Sequence, residues 1–586
     1  MLNSIKTSWD IENLIKDEKK AQIEIYSASY RFIDKWKNRK DYLKDPNILK
    51  SALLEYEAWL RNYANGGNLG YYYSLKNALD QTDPNIKAKL AKIEEQTLKI
   101  ENDIQFFEYR LSKITPKQQK IFLESEILKT YHHFLETLFT TAKYLLSEKE
   151  EKILNLTSDT SYSNWVKMTF SLLSKEQRNK KTLSELLSSI DSQDKKERDS
   201  AALALNDIFS KNTDMAENEL NSILQSKKIL DTLKTIKRPD LPRLISDDIK
   251  TEIVDSLLKT VSSRFDISQK YYQLKSKLMG VEKLKYHERN VDYGKIEGDY
   301  SFEETSNILF KVLHNLDPQF SKIFTDLIEN GQVDVYPKLG KSGGAFCAGG
   351  LISQPDFILL NHTNTFSDVL TLAHETGHAI HNTLSKKTQT PLNYGISLAV
   401  AETASTFIED FALDTFLKNA SPEEKLLLYM KKLNSDISTI FRQTACYNFE
   451  WDLHKEFREK GYLSKEEIGS LFQKHMRSYM GDFVEQGKGS ENWWVYWHHI
   501  RTFFYVYSYV SGLLISKNLQ KQVKTNPKNI EGVRSILSAG NSKSPYNLFK
   551  EAGVDIKQKN FWHTGISEVE KLLNETENLA LKLKKI

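Results

Sequence analysis

Most of this chain reads at helical period. Between residues 11 and 60, charged positions alternate with Ile, Leu, Tyr and Trp at the spacing of one-sided helices. Asn65, Gly66, Gly67 and Asn68 interrupt that pattern. A longer stripe follows: Ile93, Ile100, Phe107 and Ile114, with Thr97, Ile104 and Leu111 between them. That spacing predicts one long helix packed in an antiparallel hairpin or bundle, closed by Thr115 and Pro116. Another helix is expected over about 118–146, with His132 and His133 in structural roles. A polar stretch at 181–200 marks a junction, and the chain divides there into 1–190, a helical N-terminal lobe, and a second region, 191–586. Helices resume to about 280, broken at Pro239–Pro242, with Ser246 placed to cap the next one.

The texture changes between 331 and 365. Val333 to Tyr336 alternates and Phe357 to Leu360 is a short apolar run, with a glycine-rich stretch from Gly340 to Gly350 between them. This predicts a small sheet with a strand or turn that lets another backbone come close. The G-x-x-x-x-G-K-[ST] pattern of a phosphate loop is absent. Asn364, Thr365 or Ser367 then caps a helix. The fold class is mainly α with one small sheet.

The capped helix carries His374, Glu375, Thr376, Gly377 and His378, an H-E-x-x-H motif. On a helix, residues i and i+4 share a face, so both imidazoles can grip one metal ion. Glu375 follows the first ligand and can act as general base on a water held by the metal. Catalytic zinc takes a third protein ligand. Glu402 supplies it from a second, antiparallel helix. Glu409, two turns further on, can orient an imidazole, with Asp410 as its alternative.

Composition changes little. Lys and Arg number 82 against 78 Asp and Glu, a net charge of +4 that offers nucleic acid no basic patch. Two cysteines make neither a disulfide framework nor a cysteine zinc site and fit a reducing compartment. No apolar stretch is long enough for a signal sequence or a membrane span, so a cytoplasmic protein is expected.

The motif residues, with Ala401, Glu402, Thr403, Ala404 and Ser405, resemble the zinc peptidases of the thimet oligopeptidase group, in particular the oligoendopeptidase F branch. Further segments carry the likeness: Gly343 to Cys347; Phe441 to Thr444 with Phe449 and Glu450; His499 followed by Phe504 to Tyr509; Ala539 to Pro545; and Ala552 to Asp555. Departures are small: Thr376 for Leu, Asn541 for Gly and Ser508 for Gln.

The resemblance implies two helical lobes flanking a deep channel, one Zn²⁺ per chain, and hydrolysis of internal bonds in short oligopeptides. It implies that His499 and one or two of Tyr505, Tyr507 and Tyr509 contact the scissile carbonyl. Tyr505 and Tyr509, i and i+4 on one expected helix, are favoured as catalytic donors, leaving Tyr507 as a substrate contact. Gly343, Gly344, Ala345 and Phe346 would bind an extended peptide through backbone hydrogen bonds. A zinc carboxypeptidase of similar helical fold and a non-catalytic peptide-binding relative are the alternatives. Oligomeric state stays open.

Overall fold

The computed structural model describes residues 4–395, 397–558 and 560–586, apart from the side chain of Ala399. Helices account for 72% of the chain and the sheets are few and small. Two compact units emerge, each assembled from three separate segments: Met1–Leu156, Gly298–Thr415 and Leu519–Val554 in one; Thr157–Glu297, Phe416–Asn518 and Asp555–Ile586 in the other.

In the first unit, helices Glu18–Trp36 and Pro46–Asn62 bury an aromatic face built on Phe32, Trp36 and Tyr56. The long stripe packs within the chain, as a bundle face does, but not as one helix: it divides into Pro84–Ile104 and Phe106–Ser112 at Gln105. Ile100, Ile104, Phe107 and Leu111 are buried and join the aromatic core. Thr115 does stop the stripe and caps the next helix, Pro116–Leu123, through the Gln118 N–H. That helix ends early. The expected 118–146 helix continues as a tight turn at Glu126–Tyr131 and a separate helix, His132–Thr141. His132 Nε2 lies 3.2 Å from the Ser125 carbonyl across this break, a structural role.

The small sheet has three strands in the order Val333–Asp334, Phe357–Leu359, Phe346–Ala348. The last is antiparallel to the central strand and sits at the sheet edge. It starts at Phe346, so Gly343, Gly344 and Ala345 form the turn before the strand rather than the strand itself. Gly344 holds a φ of +74°, and Asn361 Nδ2 donates to the carbonyls of Ser342 and Gly344 at 2.9 and 2.7 Å. The Trp9 indole donates to the Ile358 carbonyl at 2.8 Å, fixing the N-terminal segment on the central strand.

The second unit is built from helices such as Lys195–Lys211, Thr213–Leu233, Gln443–Lys460 and Lys465–Met480. Ser246 ends a short helix, Leu241–Ser246, and the following one starts at Thr251 after Lys250, so the capping role expected of Ser246 is not taken. Arg501 and Glu219 form a fully buried pair, with Nη2 2.7 Å from Oε2. The remaining guanidinium nitrogen, Nη1, donates to the Trp494 and Trp497 carbonyls at 3.0 and 2.9 Å, so the buried charge is fully bonded.

Candidate active site

The metal motif lies on the helix Phe366–Thr388. Its first turn is set by Thr365, whose N–H and hydroxyl both donate to Asp368 Oδ2 at 2.8 Å. One turn separates His374 from His378, and their rings meet edge to face with centroids 5.0 Å apart. Glu402 comes from the helix Leu398–Leu417. One donor atom from each of His374, His378 and Glu402 falls within 4.8 Å of the others. Glu409 rather than Asp410 meets His374, its Oε2 3.1 Å from Nδ1. That contact fixes the tautomer and leaves Nε2 for a metal.

Gly377 explains how the two helices come so close. A Cβ there would sit 2.6 Å from Ser405 Cα and 2.7 Å from the Ala404 carbonyl oxygen. The segment between the helices is also tied down. Gln389 Nε2 donates to the Ser538 carbonyl at 2.8 Å, and the Asn541 N–H donates to the Asn393 carbonyl at 2.7 Å.

Electrostatics favour a cation at this point. Burial opposes charge on His374, but Glu409, Glu375 and Glu402 outweigh it and raise the imidazole to about 9. Burial, with His374 and His381 nearby, holds His378 well below its usual range, so it stays a neutral donor. Burial lifts Glu402, with Glu409 adding to the effect. Glu375 is pushed up to about 7, mainly by burial, against the pull of His374. Three carboxylates crowd two imidazoles, and a divalent cation is the group that relieves that repulsion while taking nitrogen and oxygen donors. The residues fit a metal.

The Cys347 backbone lies beside the Glu375 carboxyl and opposes the upward shift, and the edge strand packs on the motif helix. Sequence reasoning missed what holds them together. Asn382 and Lys386, one and two turns beyond His378, reach the buried Asp356 at 3.0 and 2.7 Å. The available signal was the i+4, i+8 repeat from His378, which places both on the ligand face.

In the second unit, His499 lies in a short turn, His498–Arg501. The expected helix from His499 through Tyr509 does not form. Phe503 and Phe504 adopt φ of +53° and +57°, and the helix begins only at Tyr507. The reversal brings Tyr505 back onto His499, hydroxyl to Nδ1, with ring centroids 5.2 Å apart. Tyr509 completes the cluster at 5.6 Å from Tyr505 and 6.0 Å from His499. Burial, helped by Arg442 and His498, lowers His499 to about 4, so the ring is neutral. Tyr507 is a correction: it is fully buried and gives its hydroxyl to Asp247 Oδ2 at 2.6 Å, so it packs the core rather than meeting a peptide.

A second group of metal-capable side chains, Asp199, His287 and Glu288, already holds its counter-charges. Arg198 and Lys195 reach Glu288 at 3.0 and 3.3 Å, and Lys195 reaches Asp199 at 2.9 Å, which leaves a dication nothing to neutralise.

Residues 188–568 match Peptidase family M3, and residues 111–174 match the Oligopeptidase F family. Oligopeptidase PepF of Bacillus subtilis is 28% identical over 483 residues, 80% of this chain and 72% of that protein. Group B oligopeptidase PepB of Streptococcus agalactiae is 25% identical over 98% of both chains. An oligoendopeptidase F homolog of Borreliella burgdorferi is 27% identical over 94% of both. Among solved structures, the oligoendopeptidase F of Enterococcus faecium superposes with a TM-score of 0.68 at 19% identity, covering 98% of both chains. A PZ peptidase A with a bound inhibitor gives a TM-score of 0.75 at 18% identity, over 95% of this chain and 97% of that one. The M3 match spans well over half of the sequence, from ahead of the first ligand to beyond the last tyrosine of the cluster: the chain belongs to peptidase family M3 and is a metalloendopeptidase.

Proposed function

We propose that this protein cuts internal bonds of short peptides using one zinc ion held by His374, His378 and Glu402. The observation that carries this reading is the convergence of those three donors within 4.8 Å, with Glu375 next to the first of them on the motif helix. Zinc would supply Lewis acidity, lowering the pKa of water toward ~7 and polarising the scissile carbonyl. Glu375 takes the proton of the attacking water and returns it to the leaving nitrogen. Burial, which disfavours a fixed charge on this carboxyl, favours the capture of a proton in the first half of that task.

His499, Tyr505 and Tyr509 serve as hydrogen-bond donors to the carbonyl oxygen as negative charge develops there. Their mutual contacts support a joint role. The free edge of Phe346–Ala348, with Gly343 to Ala345 leading into it, takes the peptide backbone as an added strand. Backbone recognition suits a peptidase of broad sequence tolerance. Cytosolic residence belongs to the same reading, supported by the unpaired Cys347 and Cys446. Among the described residues, no helix is long and apolar enough to cross a membrane.

The test is zinc content together with turnover of quenched fluorogenic peptides by the native protein and Glu375→Gln. Native activity with a loss of at least ~10³-fold in the variant is expected. Equal turnover in both would sink the mechanism. Mapping the cuts separates internal cleavage from stepwise C-terminal trimming.

A further inference from the structure

The first unit contains a cavity of about 700 Å³ outside the metal site. Tyr56 and Trp59, stacked with centroids 5.8 Å apart, form part of its wall. Glu101, Glu108 and Glu151 line it, and among the described residues no Lys, Arg or His does. Glu101 accepts the Asn65 N–H at 3.2 Å and Glu108 accepts the Tyr56 hydroxyl at 3.0 Å. Neither carboxylate has a cationic partner among the described residues. Burial raises both from the ordinary carboxyl value, so their charged forms lack compensation in the empty cavity and would gain it from a cation. Gln105, at the break between the two helices that carry these glutamates, lines the same cavity, and its buried Nε2 has no hydrogen-bond partner. It is a donor suited to a peptide carbonyl.

The cavity is connected to the site by the chain itself. Gly350, Leu351 and Ile352, in its lining, follow directly from the edge strand Phe346–Ala348. Tyr394 and Gly395, also in the lining, belong to the segment between the two ligand-bearing helices. Cys347 is the strand residue whose backbone lies beside Glu375, on the strand that packs against the motif helix. Leu351 lies four residues further on, a reach of at most ~14 Å. A peptide paired along that strand and extended beyond Ala348 would come within reach of the cavity about four residues from the bond it presents to Glu375.

We propose that this cavity is a specificity pocket for a cationic group of the substrate peptide, an ammonium or guanidinium, received between Glu101 and Glu108 against the Tyr56 and Trp59 rings. The proposal rests on the peptidase reading above and adds the substrate class. Aromatic faces and unpaired carboxylates are the two features that recognise organic cations, and a strand-bound peptide brings such a group either as a Lys or Arg side chain or as its free α-amino terminus.

The experiment uses the zinc-loaded full chain and fluorogenic peptides of one core sequence. One series moves a single Lys along positions up to five from the cut, each paired with norleucine at the same place. A second series compares free with acetylated N-termini. Binding of the same peptides is measured on Glu375→Gln, so the readout does not depend on turnover. The expected result is a preference of about tenfold for the cation at one position, carried by KM and by binding rather than kcat. Loss of that preference in Glu101→Gln/Glu108→Gln, with the neutral peptide unchanged, assigns it to this cavity. A preference at a Lys position identifies the side chain; one abolished by acetylation identifies the α-amino group. Equal binding of every charged and neutral pair to the native chain overturns the proposal even if the double variant fails to fold, as does an undiminished preference in a folded double variant. Absence of cleavage of all peptides, with binding intact, would instead overturn the peptidase reading and leave the pocket judged by its binding data.

Discussion

Replacing Gly377 by Ala tests the packing that sets the metal site. The new Cβ would lie 2.6 Å from Ser405 Cα, 2.7 Å from the Ala404 oxygen and 3.0 Å from the Ala404 carbonyl carbon. Ordinary contact begins near 3.4 Å, so the two helices must part by about 0.8 Å (3.4 − 2.6). Every atom in the way is backbone, so no rotamer can absorb the clash. Glu402 stands one turn before Ser405 on the displaced helix, and Glu409 one turn after it. Metal–ligand distances tolerate only about ±0.2 Å, so the displacement falls directly on the ligand set. We expect zinc affinity to fall by ~10–100-fold, in the range seen when ligand orientation is lost, and stability by ~1–3 kcal/mol. Chelator competition reads the first, and thermal unfolding with and without zinc reads the second. Gly532→Ala is the control: its Cβ would meet only Ala552, at 3.7 Å and beyond, in the helix Ile530–Ser538. Native zinc affinity and native unfolding in Gly377→Ala would refute the claim that this contact fixes the ligand geometry.

Other outcomes follow from the same structure. Glu409→Gln weakens the orienting contact to His374 and lowers zinc affinity by ~10-fold or more, read by the same competition assay. Tyr505→Phe lowers kcat by ~10–100-fold with little change in KM, whereas Tyr507→Phe leaves kcat near native and lowers the unfolding temperature, because its hydroxyl serves Asp247. Glu450 is raised from 4.5 to about 8, chiefly by burial, so the folded state holds a proton that the unfolded state has released across that window. Stability is therefore full below the lower value and falls as pH rises toward the upper one; urea titrations in that range should show the decline, and Glu450→Gln should flatten it.

The metal helix was legible because its information is local. Two imidazoles four residues apart need only a helix to share a face, and Glu409 lies two turns from Glu402 on its own helix. The three-stranded sheet was legible from short apolar runs. The reversal at Phe503 and Phe504 was not. Bulky residues avoid positive φ, and the aromatic spacing of Tyr505 and Tyr509 fits a helix equally well. What holds the reversal is remote: Glu450 accepts the Phe504 N–H at 2.8 Å, and Arg501 is fixed by Glu219. The strand start at Phe346 was obscured for a similar reason, since the preceding turn is held by Asn361 from a later strand end. The break at Gln105 leaves the apolar spacing almost undisturbed, so periodicity alone reads through it. The cavity beside it was invisible for that reason, because it depends on which glutamates the tertiary fold leaves unpaired.

The three-segment build of the first unit has a consequence for the making of the protein. His374, His378 and Glu402 leave the ribosome well before Ser538 and Asn541, which tie down the segment between the two ligand helices. Ser538 follows Glu402, the last of the three to be made, by 136 residues (538 − 402). At ~5–20 residues per second, that gap lasts roughly 7–27 s. During it the nascent chain carries every ligand but lacks the clamp that sets their spacing. Peptide-cutting power therefore waits for the segment that carries Ser538 and Asn541, well after the metal-capable side chains have been made.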